Sequence, residues 1–101
     1  MYRTEDFDKY LAEELKDLEF ARHYFMSSME PLDDEPGLDL FSAIRNIVRK
    51  YGVKEYAELI DMKDTNLTRV LSQKTPPKID TLNRLLAPLN YRVKLDIEEV
   101  A

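Results

Sequence analysis

The strongest constraint on this chain is the set of apolar residues around Ala57. Counted from that alanine, apolar side chains stand at −1 (Tyr56), +3 (Ile60), +5 (Met62), +10 (Leu67) and +13 (Val70). Two short helices crossing at a steep angle need a small side chain where they touch, and alanine supplies it. The spacing predicts a helix–turn–helix over residues 53–70, with a first helix over 53–60 and a second over 63–72. Tyr56, Leu59 and Ile60 are expected to face inward from the first helix. Met62, Leu67, Val70 and Leu71 continue the buried set. The turn falls at Asp61, a residue type that tolerates left-handed backbone better than most.

The flanking sequence supplies partners for this pair. Over 38–51, Leu40, Ile44, Ile47, Val48 and Tyr51 form one helical stripe flanked by Phe41. Arg45, Arg49 and Lys50 are expected to point away, and Gly52 to end the helix. Residues 73–78, QKTPPK, read as a loop, because Pro76 and Pro77 forbid helix there. A last helix from 79 carries Ile79, Leu82, Leu85, Leu86 and Leu89, is shortened by Pro88 and is capped by Asn90.

Upstream, two short helices are expected. Phe7, Tyr10, Leu11 and Leu15 mark the first. Asp17 caps the second, whose stripe of Leu18, Ala21, Phe25 and Met29 is widened by Phe20 and Tyr24. Leu11, Leu15, Ala21 and Phe25 are the expected core residues. The stretch 30–37, EPLDDEPG, reads as a loop or hinge dividing a helical extension, residues 1–37, from a domain spanning 38–101. Residues 91–98, YRVKLDIE, alternate strictly between apolar and charged, a strand signal. Nothing else in the chain is clearly a strand, so this one requires a partner: a second copy of the chain or a sheet in another protein. The expected fold is mainly all-α: five to six helices, with an N-terminal helical extension and one short C-terminal β-strand.

Charge divides along the same line. Residues 1–39 hold 4 basic and 12 acidic side chains, residues 40–95 hold 11 basic and 5 acidic, and residues 96–101 hold 3 acidic, giving the total of −5. Opposite-sign blocks in one short chain predict two kinds of partner, a polyanion for the basic block and a basic protein for the acidic one. Cysteine is absent and His23 is the single histidine, which excludes disulfides and thiolate metal sites and argues against a histidine-based metal site or catalytic triad. Glu13 and Glu14 are adjacent, and helix neighbours diverge by about 100°, so they do not converge on one substrate atom. No cofactor and no enzymatic activity are expected. No apolar run approaches the ~20 residues of a membrane span, and the first ten residues lack the apolar core of a signal peptide. A cytoplasmic protein is the expectation.

The second helix of the pair presents a donor-rich face. Lys63, Asp64, Thr65, Asn66, Thr68 and Arg69 stand on or beside it, and Gln73, Lys74 and Lys78 follow in the loop. Such a face suits base edges and phosphates of double-stranded DNA. Arg69 has the fork that pairs with guanine, Thr65 and Thr68 suit bases or a thymine methyl, and Lys63, Gln73, Lys74 and Lys78 suit phosphates. Asp64 either accepts from a cytosine amino group or complements the positive end of the helix, the role favoured here.

Taken with FDKYLAEELKDLEFARHYF near the start, the stretch from VKEYAELIDMKDTNLTRV through YRVKL resembles the HigA-type addiction-module antidote (antitoxin) family, whose members carry an Xre/Cro-like helix–turn–helix domain. The chain departs from that pattern at Asp61 and Gln73, where glycine is usual, at Lys63, where serine or threonine is common, and at Pro88. The resemblance implies that the chain represses its own operon by binding operator DNA; a homodimer is expected separately, because the lone strand needs a partner and two recognition helices would then meet successive major grooves. The resemblance also implies that the chain neutralises a small basic toxin of the RelE/ParE-like fold, as one half of a type II toxin–antitoxin module. Two alternatives share the helix–turn–helix: a free-standing Xre-type regulator without a toxin, and a protein-binding module that has lost its DNA site.

Overall fold

The computed structural model describes residues 4–100; residues 1–3 and 101, the outer ends of the two expected regions, lie outside them. Six α-helices follow in order: α1 (Thr4–Leu15), α2 (Leu18–Ser28), α3 (Leu40–Tyr51), α4 (Val53–Leu59), α5 (Asp64–Ser72) and α6 (Ile79–Leu86). A 3-10 turn, Ala87–Leu89, completes the series. The fold is all-α. Among the described residues the one β contact is an isolated bridge between Leu32 and Glu35.

Local chemistry sets the helix limits. Asp17 starts α2 by accepting from the backbone N–H groups of Glu19 and Phe20 at 3.0 and 3.4 Å. Asp39 does the same for α3, accepting from Ser42 N–H at 2.7 Å, so Leu38 stays outside the helix expected to include it. That hydrogen bond, aided by nearby Arg45, holds the Asp39 carboxyl below the usual carboxylate range. Gly52 closes α3 and opens α4 at φ 115°, where an added Cβ would run into the Glu55 carboxylate. Asp61 and Asn90 take the left-handed backbone anticipated for them, at φ 53° and 62°.

Helix α3 is the axis of the molecule. Phe41, Ala43, Ile44, Ile47, Val48 and Tyr51 are all buried, so this helix is covered on more than one side. Around it, Leu11 and Leu15 of α1, Ala21 and Phe25 of α2, Tyr56 and Ala57 of α4, Leu67 and Leu71 of α5, and Leu82, Leu85 and Leu86 of α6 belong to one continuous core. The acidic helices α1 and α2 therefore contribute to the same interior as the basic part of the chain. Residues 30–37 fold back tightly between them. Leu32 and Glu35 exchange backbone hydrogen bonds of 3.0 and 2.8 Å, and Leu38 N–H donates to Ser28 O at 2.9 Å. Gly37 lies so close to the Met29 carbonyl that no side chain fits there.

Three expectations are corrected, and a fourth, the strand, is not met within the single chain. Leu59 is 43% exposed rather than inward. At about 100° per residue the buried arc of α4 is centred between Tyr56, Ala57 and Ile60, and Leu59 lies roughly 100° from that centre. Arg45 does not point away but lies half-buried over Phe41, with its guanidinium bonded to the end of α5. Lys63 precedes α5 as its N-cap residue rather than forming its first turn. Residues 91–98 are not assigned to a strand within the single chain. Strand backbone needs a neighbouring strand to bond to, and the helical body offers none. The segment is instead pinned at its start. Val93 N–H donates to Asn83 Oδ1 at 2.7 Å. The Tyr91 ring packs near Phe25, 6.1 Å between centroids, under the guanidinium of Arg22 at 4.5 Å.

Candidate nucleic-acid interface

The α4–α5 pair is built from its turn outward. Ile60 N–H donates to Tyr56 O at 3.2 Å and Met62 N–H to Ala57 O at 2.9 Å, with left-handed Asp61 between them. The turn leaves carbonyls of residues 60 and 61 facing out of the helix, where each still needs a donor. Arg84 of α6 supplies both: Nε donates to Ile60 O at 3.1 Å and Nη2 to Asp61 O at 2.6 Å. The far end of α5 is treated alike. Arg45 of α3 donates from Nε to Leu71 O at 2.7 Å and from Nη2 to Gln73 O at 3.2 Å, with its guanidinium 4.6 Å over the Phe41 ring. Planar, charged forks thus tie the turn that leads into α5 and the far end of α5.

Beneath it, Tyr56 anchors α4. Its hydroxyl donates to Leu85 O at 2.5 Å, and its ring meets Tyr51 edge-on at 5.5 Å. Burial, and then the neighbouring Tyr51, push the Tyr56 hydroxyl well above its ordinary pKa of 10.0.

Only Leu67 and Leu71 of α5 are buried, with Val70 half-buried beside them. At helical spacing Thr65, Thr68, Arg69 and Ser72 occupy the opposite side. All nine residues expected to contact DNA are exposed: Lys63, Asp64, Thr65, Asn66, Thr68 and Arg69 at the leading end and outer face of α5, and Gln73, Lys74 and Lys78 in the loop before α6. They carry four cations against one carboxylate. Arg69 Nη2 donates to Asn66 Oδ1 at 3.4 Å, which steers the guanidinium along the helix. Asp64 Oδ1 accepts from Thr65 N–H at 3.0 Å, inside the first turn. Neither α5 nor α6 has a side-chain cap from its N-cap lysine, Lys63 or Lys78. The arrangement is a set of exposed hydrogen-bond donors and cations on and beside a helix seated by hydrogen bonds. It suits recognition of an extended anion.

Arg45 and Arg84 were not among the anticipated site residues. Arg45 sits on a helix face that periodicity assigned to solvent, and Arg84 is 24 and 23 residues from the two carbonyls that it binds. A signal for both existed in the carbonyls themselves: a left-handed turn at 61 and a helix end at 72 must each find donors.

Away from α5 two surfaces stand out. Phe7 and Tyr10 of α1 are more than half exposed and lie in sequence among Asp6, Asp8, Glu13 and Glu14. A groove of about 800 Å³ separates α1 from the α3–α4 junction, lined by cations (Lys9, Lys16, Arg49) and carboxylates (Glu13, Glu55) and crossed by the Lys50–Asp8 ion pair at 3.5 Å. Among the described residues no cluster of metal-ligating side chains occurs, and no helix is long and apolar enough to cross a membrane. Comparison of the chain with family models, with curated proteins and with solved structures gave no match.

Proposed function

We propose that this chain is a DNA-binding antitoxin. In this reading it recognises operator DNA through α5, represses its own operon, and neutralises a small basic toxin of the RelE/ParE-like fold. The observation that carries the DNA half is the seating of α5: an outer face of exposed donors on a helix whose far end is held by Arg45 and whose preceding turn is held by Arg84. Recognition of base edges needs side chains presented from a fixed backbone. The order α3 to α6, with a left-handed turn between α4 and α5, fits an Xre/Cro-like domain. Arg69 would read a guanine, Thr65 and Thr68 neighbouring bases, and Lys63, Gln73, Lys74 and Lys78 phosphates. Asn66 orients Arg69, and Asp64 stabilises the first turn of α5. A homodimer would place two such helices in successive major grooves, about 34 Å apart on a palindromic site.

The toxin half rests on the family resemblance and on charge. An acidic α1–α2 surface with exposed Phe7 and Tyr10 offers a basic partner both complementary charge and aromatic anchors. A free-standing regulator is the second reading. It is favoured by the burial of Leu11, Leu15, Ala21 and Phe25, which gives α1 and α2 a structural task independent of any toxin.

Mobility-shift titration of wild type and Arg69→Ala at several salt concentrations tests the DNA assignment. The variant is expected to lose about 1–3 kcal/mol of discrimination between operator and random DNA. Unchanged operator binding at every salt concentration would remove α5 from the interface.

A further inference from the structure

Residues 94–100 are the exposed tail that the core leaves unused. Leu95 is 73% exposed, and Ile97 and Val100 are fully so, although the stretch alternates like a half-buried strand. The apolar side of that alternation begins inside the molecule: Tyr91 and Val93 pack against the core, and Leu95 and Ile97 continue the same side outward. The Val93 N–H is already bonded to Asn83 on the body. In a strand, successive residues present their backbone groups to opposite edges. If 93 bonds to the body, the groups of 92, 94, 96 and 98 lie along the free edge.

The charges on 92, 94, 96 and 98 are self-complementary. Arg92 and Lys94 are followed by Asp96 and Glu98. Antiparallel pairing centred on Leu95 sets Arg92 against Glu98 of a second copy, Lys94 against Asp96, Val93 against Ile97 and Leu95 against Leu95. Every charge then meets its opposite, and every apolar residue meets an apolar one. Shifting the centre by one residue sets Lys94 against Lys94 or Asp96 against Asp96. A parallel pairing in register sets each charge beside its own copy. The same centre places Arg92–Glu98 and Lys94–Asp96 as the hydrogen-bonded pairs that the free edge offers, and Leu95–Leu95 as a close non-hydrogen-bonded pair.

We infer that residues 92–98 dock onto the same residues of a second copy of this chain, as an antiparallel strand pair centred on Leu95. Pairing satisfies the free edge and lays the second copy's Ile97 beside Val93, at the margin of the first copy's core. This deepens the dimer invoked above and does not rest on DNA binding, because it is tested without DNA.

Sedimentation of the full chain over a concentration series is the experiment. Wild type is expected to self-associate with a dissociation constant below about 1 mM. A wild type that stays monomeric to that concentration overturns the inference. Two variants then read the register. Arg92→Glu with Lys94→Asp makes the stretch wholly acidic, and Asp96→Lys with Glu98→Arg makes it wholly basic. Each alone is expected to self-associate at least about tenfold more weakly, since four charge pairs turn repulsive. Their equimolar mixture is expected to form a heterodimer at least as readily as wild type. Either variant dimerising like wild type, or a mixture that stays monomeric, refutes the pairing. The substituted side chains are exposed and outside the core, and circular dichroism checks that helix content is retained. Because the chain has no cysteine, Leu95→Cys supplies a single probe. It is expected to oxidise to a covalent dimer, its two sulfurs within disulfide reach. Ile97→Cys, whose copies lie about 13 Å apart in this register, is expected to remain largely reduced. Equal oxidation of both would displace the centre from Leu95.

Discussion

Helix pairs α1–α2 and α4–α5 both lie over α3, and they are held there by different means. The first pair is fixed by apolar side chains: Leu11, Leu15, Ala21 and Phe25 are buried, and the one ion pair among the described residues, Lys50–Asp8, is a surface contact. The second pair keeps one face polar and solvent-exposed, so α5 can bury only Leu67 and Leu71. Its seating is completed by hydrogen bonds from Arg45, Arg84 and Tyr56 to backbone carbonyls. A helix with one polar, exposed face has few side chains left for packing. Its position is then set through the backbone of its far end and of the turn before it.

That contrast is open to direct attack. The largest expected effect is on the apolar side. Phe25→Ala empties a site at the meeting of α2, α3 and Tyr91 and is expected to cost about 3–5 kcal/mol in urea denaturation. For the same reason, removing residues 1–36 would strip four core side chains from α3. The fragment is expected to lose cooperative unfolding, so it does not serve to map a toxin site. A fragment that unfolds as cooperatively as the full chain would show α1 and α2 to be an appendage.

On the polar side, Arg84→Ala leaves the carbonyls of Ile60 and Asp61 without their charged donor. A loss of about 1–3 kcal/mol is expected, read by thermal or urea unfolding. DNA binding should weaken for all sequences alike, unlike the sequence-selective loss in Arg69→Ala. A variant that binds every sequence as wild type does would show that α5 is seated by its leucines alone.

Tyr56→Phe removes one buried hydrogen bond and is expected to cost about 1 kcal/mol near neutral pH. It also carries a pH signature. The folded-state pKa of Tyr56 is raised above its unfolded value, so its contribution is fully present below about pH 10 and is lost as pH rises beyond that. The wild type should therefore lose stability above pH 10 more steeply than the phenylalanine variant. Parallel alkaline profiles would mean that Tyr56 ionises without leaving its site.

The smallest stability effect belongs to Phe7→Ser combined with Tyr10→Ser, expected within about 0.5 kcal/mol because both rings are exposed. If α1 is the toxin-facing surface, neutralisation in a toxin co-expression assay should nonetheless fall sharply. Full neutralisation by this double variant would move the toxin contact off α1.

The apolar periodicity around Ala57 and along α3 determined, from the sequence alone, the helices, the left-handed turn at Asp61 and the exposed side of α5. Each depends on residues within one or two turns of each other, where spacing maps directly onto geometry. The buried ends of α1 and α2 were legible in the same way, through Leu11, Leu15, Ala21 and Phe25. Tertiary structure alone decided how α5 is held. The bond from Arg84 to Ile60 and the bond from Arg45 to Leu71 span 24 and 26 residues, and no local pattern marks a surface arginine as the donor for a distant carbonyl. It also decided that Leu59 looks outward and that 91–98 stays without a strand in the single chain. Alternation shows that a segment is able to pair, and pairing itself requires a neighbouring backbone that this helical body does not contain.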